Sequence, residues 1–133
     1  MNVQDEPIHI NGAGFEMLGI LSLPAPGTPR QRTAVLIVVG GAQYRAGSHR
    51  QFVLLARRLA AAGHPTLRFD LPGMGDSPGD AVPFEDTVPH IAAALDAVAQ
   101  AAHVERAVLW GLCDGASASL LYLQARQDPR VAG

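Results

Sequence analysis

The sequence predicts an α/β fold: a mostly parallel sheet preceded by an N-terminal β-hairpin. Three observations carry this. Ala34–Val39, "AVLIVV", is six apolar residues in succession, whereas a strand with one wet face would alternate. Short apolar runs then alternate with segments of helical periodicity, the pattern of a parallel sheet with right-handed crossovers. Before them, two alternating stretches flank a turn dipeptide.

The elements follow in chain order. "PIHING" and "GFEMLGILSLP" read as two strands joined through Asn11-Gly12, a pair that favours hairpin turns. "APGTPRQR" is a polar connection into the Ala34–Val39 strand. Residues Ser48–Ala62 form a helix, with Phe52, Leu55, Ala56 and Leu59 on one face, Ser48 as cap and Gly63 as stop. Thr66–Phe69 is the next strand, followed by the glycine-rich loop "DLPGMGDSPGD". A helix over about Phe84–Ala102 turns Ile91, Leu95 and Val98 to one side. Ala107–Trp110 is a further strand and Ala116–Gln127 a further helix, after which "DPRVAG" turns toward a strand only just begun.

Composition bounds the function. The 133 residues suit one domain with a real core, and at 48% hydrophobic and 17% charged the chain is globular. A net charge of -2 provides no basic footprint for nucleic acid or anionic membrane. A single cysteine forms no internal disulfide, "MNVQDEP" lacks the pattern of a secretory signal, and no apolar run approaches a bilayer span. A cytoplasmic location is the expectation.

The candidate chemistry centres on Gly111-Leu112-Cys113-Asp114-Gly115, set between a buried strand and a helix. That context is the one a nucleophile elbow requires. The turn is so sharp that side chains two positions either side of the nucleophile collide, and glycines 111 and 115 remove the collision. Cys113 would then stand above the carboxyl edge of the sheet, where open α/β folds bind ligands. The helix amino terminus favours negative charge on sulfur and Asp114 opposes it. Asp114 is better placed to act through its backbone N–H, as half of an oxyanion hole. The plainer alternative makes Cys113 a small packing residue.

"VVGGAQYRAGSHRQF" leaves the first parallel strand through Gly40-Gly41, making Gly41 and Ala42 candidates for the second oxyanion N–H; an ordinary strand-to-helix turn accounts for the same residues. Gly73-x-Gly75 lacks the third glycine of a dinucleotide loop and the lysine of a P-loop, so no nucleotide cofactor is expected. Asp70 reads instead as a structural turn residue whose carboxylate accepts backbone N–H bonds. Histidines 9, 49, 64, 90 and 103 show no metal-ligand spacing, so no metal is expected and each reads as a surface or capping residue.

Assembled, these residues resemble the amino-terminal half of an α/β-hydrolase, from about Ile8 to Gly133. The resemblance implies a three-layer α/β-hydrolase-type sandwich, truncated before its last strands, with residues 1–133 the amino-terminal part of one domain. More narrowly, "GGAQYRAGSHRQFVLLARRLAAAGHPTLRFDLPGMGDSPG" with "LWGLCDGAS" is similar to hydrolases associated with the exosortase A system, which accompany bacterial exopolysaccharide and envelope-protein sorting loci. The resemblance puts Cys113 at the nucleophile position, as in dienelactone hydrolases, and the N–H groups of Asp114 and of Gly41 or Ala42 at the oxyanion hole. It implies hydrolysis of a small-molecule acyl ester or thioester without a cofactor.

In such hydrolases the acid and histidine follow the nucleophile in the chain. Here no histidine follows Cys113, and Asp128 is the one acidic residue beyond the elbow. The expectation is therefore a gene fragment or one segment of a longer protein, inactive alone, with a non-catalytic α/β-hydrolase-like binding module as the alternative. The Ala107–Trp110 strand would form an exposed apolar edge that invites self-association.

Overall fold

The computed structural model describes residues 3–39, 51–74 and 77–133. Five strands form one sheet: β1 (Gln4–Gly12), β2 (Phe15–Leu23), β3 (Thr33–Val38), β4 (Thr66–Phe69) and β5 (Arg106–Gly111). Three helices accompany them: α1 (Gln51–Ala61), α2 (Val88–Ala102) and α3 (Asp114–Ala125). The spatial order is β1-β2-β4-β3-β5. β1 and β2 pair antiparallel, β2 pairs antiparallel with β4, and β4, β3 and β5 run parallel.

The sheet is covered on both faces, which is why β3 is apolar throughout. Leu36 and Val38 point into the larger core with Leu67, Phe69, and Ile91, Leu95 and Val98 of α2. Val35 and Ile37 point the other way, onto Phe52 and Ala56 of α1. At the edge, Trp110 of β5 meets Phe52 edge-on, ring centroids 5.7 Å apart.

Most elements fall where the sequence places them; the differences have local causes. The hairpin turns at Ala13-Gly14 rather than Asn11-Gly12: pairing continues to Gly12 opposite Phe15, and Gly14 takes the positive φ of 84° the turn needs. The helix expected from Phe84 divides into a 3₁₀ turn, Phe84–Asp86, and α2 from Val88, with Pro89 in its first turn. Gly63 ends α1 at φ 103°; a Cβ there would lie 2.5 Å from the Pro29 carbonyl oxygen. The expected Ser48 cap lies outside the described residues.

Two histidine expectations need correction. His90 is buried on α2 against Phe15, ring centroids 4.4 Å apart, because the α2 face that packs on the hairpin includes it. Burial pushes its imidazole below the ordinary histidine range. His64 is no surface residue either: its Nδ1 lies 2.9 Å from the Thr33 carbonyl oxygen. His9 and His103 are exposed, the latter capping α2 in the left-handed conformation, and His49 lies outside the described residues.

After α3 the chain returns to the sheet through a polar clamp. The Tyr122 hydroxyl donates to Asp128 at 2.6 Å, while the Arg130 guanidinium donates to Asp128 and Asp96. The clamp holds Val131–Gly133 beside β5 in a parallel bridge, Ala107 opposite Val131. Ala132 donates to the Ala107 carbonyl and Leu109 to that of Gly133, both at 2.8 Å. The outer edge of β5 is thus partly occupied rather than bare, as the incipient strand in "DPRVAG" anticipates.

The clamp sets a testable pH dependence. Burial, then the Asp128 hydrogen bond and charge, push the Tyr122 hydroxyl up to about 12 from 10.0. A group whose pKa rises on folding contributes stability that is full below the unfolded value and lost as pH climbs through the folded one. Tyr122 should therefore give a late tyrosinate absorbance step as the pH rises from 10 to about 12, and unfolding should accompany it. Tyr122→Phe should remove that step and cost about 1 kcal/mol in urea denaturation at neutral pH.

Candidate functional site

The site grows from the junction of β5 and α3, at the carboxyl edge of the parallel strands. Cys113 links them at φ 55° and ψ −123°, a backbone conformation that side chains other than glycine rarely adopt. Holding it costs about 1–3 kcal/mol, which the surrounding packing must supply. The thiol is exposed to solvent.

The flanking glycines explain why the turn closes. A Cβ on Gly111 would lie 2.5 Å from the Gly115 carbonyl carbon and 2.6 Å from the Ala116 nitrogen. One on Gly115 would lie 2.1 Å from the Val38 carbonyl oxygen. The first contact lets α3 fold back on the strand that precedes it; the second lets α3 press on the end of β3. Once closed, the turn is held by Gly115 N–H donating to Leu112 O and Ala116 N–H to Cys113 O, both at 3.0 Å. The buried Ser119 hydroxyl donates to Gly115 O at 2.8 Å.

The first N–H groups of a helix have no acceptor within it. At α3 the Asp114 N–H directly follows the sulfur in sequence and has no acceptor among the described residues. The other candidate donors, Gly41 and Ala42, lie outside the described residues.

Asp70 is fully buried at the end of β4. Its N–H donates to Leu18 O at 2.9 Å, and its carbonyl accepts from the Ser77 hydroxyl at 2.7 Å. That same hydroxyl accepts from the Leu18 N–H at 2.9 Å. The residue therefore ties the loop after β4 to the hairpin through its main chain.

A cavity of about 270 Å³ opens beside Asp114, lined chiefly by Val39, Leu71, Met74, Val82, Phe84 and Ala118. Sequence reasoning missed it, although the apolar members of an otherwise glycine-, proline- and aspartate-rich loop were visible. A wider groove of about 1030 Å³ lies between the hairpin turn and α2, but no elbow residue lines it. The Tyr122–Asp128–Arg130 clamp was also missed. It matters here because Asp128, the single acidic residue after the elbow, is engaged by Tyr122 and Arg130. Among the described residues no cluster of histidine, cysteine or carboxylate side chains could hold a metal ion, and no helix is long and apolar enough to cross a membrane.

The elbow geometry predicts an asymmetry between substitutions. Gly115→Ala should lower stability in chemical denaturation by about 2 kcal/mol or more, since its methyl meets backbone that cannot step aside. Cys113→Gly should leave stability unchanged or raise it by about 1 kcal/mol, because glycine adopts the same turn without strain. Equal losses from both would contradict a strained turn at 113.

The architecture has solved counterparts. XC6422 from Xanthomonas campestris, a serine hydrolase without a lid, is 20% identical at a TM-score of 0.74, covering 94% of this chain and 58% of its own. The Pyrococcus furiosus esterase Pf2001 is 18% identical at 0.76, with 94% and 48% covered. Est1E from Butyrivibrio proteoclasticus, solved with ferulic acid bound, is 21% identical at 0.77, with 91% and 48% covered. This chain thus spans about half the length of these structures. No curated protein sequence matches it. A family model described as the alpha/beta hydrolase family matches residues 35–133, from β3 through the elbow and beyond, and by that match the chain belongs to the alpha/beta hydrolase family.

Proposed function

We propose that the chain carries the nucleophile of a cysteine-dependent acyl hydrolase acting on a small-molecule ester or thioester. The observation that supports this most is the exposed Cys113 at φ 55°, between two glycines that have no room for a side chain. Strain of this kind persists where surrounding structure over-determines it, and here it lifts one thiol clear of the sheet. In the reaction, the Cys113 thiolate attacks the acyl carbonyl and the carbon–sulfur bond forms. The oxygen that becomes negative is met by the Asp114 N–H and, in this reading, by the Gly41 or Ala42 N–H. Collapse of the adduct breaks the bond to the leaving group and leaves an acyl-Cys113 thioester.

Hydrolysis of that thioester needs a base to activate water. The 133 residues contain no histidine after Cys113, and Asp128 is committed to Tyr122 and Arg130. The chain alone is therefore expected to acylate once and release slowly. The finer kinship, with hydrolases associated with the exosortase A system, rests on the two glycine motifs and belongs to the same proposal, as does a cytoplasmic location. Engagement of Asp128 favours a second reading, in which the pocket binds a ligand without turnover.

The test is stoichiometry. Mixing the chain with p-nitrophenyl acetate near neutral pH should release about one nitrophenolate per chain and add one acetyl group, located on Cys113 by mass spectrometry. Cys113→Ala should abolish both. The folded chain should react at least about tenfold faster than the same chain in denaturant, because only the fold presents an oxyanion donor. Equal rates would favour the binding-module reading.

A further inference from the structure

Resting on the assignment of Cys113 as nucleophile, we infer that the cavity beside Asp114 is the acyl-chain pocket, and that it takes an uncharged, linear chain of up to about nine carbons. The cavity and the elbow share a residue: Asp114 lines the cavity and adjoins Cys113 in the chain. Asp114 and Ala118 lie one turn apart at the start of α3, so the pocket begins where the helix begins. An acyl group on the sulfur can point its carbonyl oxygen at the Asp114 N–H and its tail along this surface.

Size and chemistry then select the tail. About 270 Å³ is the volume of roughly nine waters, and a methylene occupies about as much space as a water molecule. About nine carbons fill it, so a six-carbon chain enters whole and a long fatty chain does not fit. Among the described residues lining the cavity Asp114 is the only charged one, and it is acidic. A carboxylate or phosphate on the acyl tail would meet that charge with no cation among the described lining residues, whereas an aliphatic tail gains by leaving water.

The walls hold their shape. Gly73, at φ 74°, packs so closely on Asp80 and Ala81 that a Cβ would lie 2.3 Å from the Ala81 nitrogen. Its N–H donates to Pro78 O, and the Thr87 hydroxyl donates to Phe84 O at 2.8 Å, fixing the far wall. The Ser77 hydroxyl anchors the loop to β2 through Leu18. A loop pinned at these points offers a preformed slot, which costs little ordering when a ligand enters.

The experiment compares p-nitrophenyl acetate, hexanoate and dodecanoate as acyl donors to the chain, with N-acetylcysteine as the reference thiol. In each case the thiolate attacks the carbonyl, the sulfur–carbon bond forms, the ester carbon–oxygen bond breaks and p-nitrophenolate leaves with the electron pair. Each methylene taken from water multiplies affinity by about fourfold. Hexanoate has four more methylenes than acetate, so its rate ratio to acetate should exceed that of N-acetylcysteine by up to about 250-fold when all four are buried, with dodecanoate falling back. Val82→Trp, which fills the slot, should bring the ratio to within about threefold of the reference. Met74→Ala, which enlarges it, should move the optimum to a longer chain. A wild-type ratio equal to that of free thiol, or a preference that survives Val82→Trp, would overturn the pocket while leaving the nucleophile in place. Should neither ester acylate the chain, the nucleophile assignment fails and calorimetry with octanamide judges the pocket alone: binding that Val82→Trp abolishes upholds it, and no binding overturns it.

Discussion

The contact on which the structure depends is the approach of the first turn of α3 to the end of β3. At Gly115 the helix comes so near the Val38 carbonyl that a single methyl group has no room. That closeness turns the chain sharply between β5 and α3, and the sharp turn puts Cys113 in a conformation usually left to glycine. Exposure of the thiol, the Asp114 N–H that no described residue accepts and the cavity at the start of α3 all follow from one helix lying this close to one strand.

The rest of the molecule is arranged so that the contact survives its strain. β3 lies between β4 and β5, buried from both faces, so its carboxyl end is among the firmest points in the sheet. Beyond it, the Tyr122–Asp128–Arg130 clamp closes the far end of α3 and lays Val131–Gly133 along β5. The helix is thus held at its start by missing side chains and near its end by hydrogen-bonded charge. Asp5 plays a comparable part at the opposite edge: burial alone would raise its carboxyl, yet bonds from Ser22 and Arg57 outweigh this and hold it below the usual range. There it ties β1 to β2 and α1.

The site also shows how a loop can be structural and still line a cavity. The glycine-rich segment after β4 bears no nucleotide signature, and its Asp70 and Ser77 are committed to holding the hairpin. Leu71, Met74 and Phe84 of the same stretch pack on the core and, with Val82, also line the cavity. Hydrogen bonds from the polar residues and cavity walls from the apolar ones come from a single stretch of chain.

How much of this was legible follows from what kind of signal each feature leaves. The β3 run, the α2 face of Ile91, Leu95 and Val98, and the glycines around Cys113 are local patterns, because strand burial, helical spacing and side-chain collision act within a few residues. These determined the α/β order, the parallel core and the candidate nucleophile from sequence alone. The hairpin turn slipped by two residues because cross-strand pairing of Gly12 with Phe15 outweighed the preference of Asn-Gly. His90 was misjudged because its burial comes from a hairpin some 75 residues earlier, which no local pattern encodes. Tertiary structure alone decided that Tyr122 would find Asp128 and that Asp114 would border a cavity. Both are meetings between side chains and surfaces whose positions only the packed fold defines.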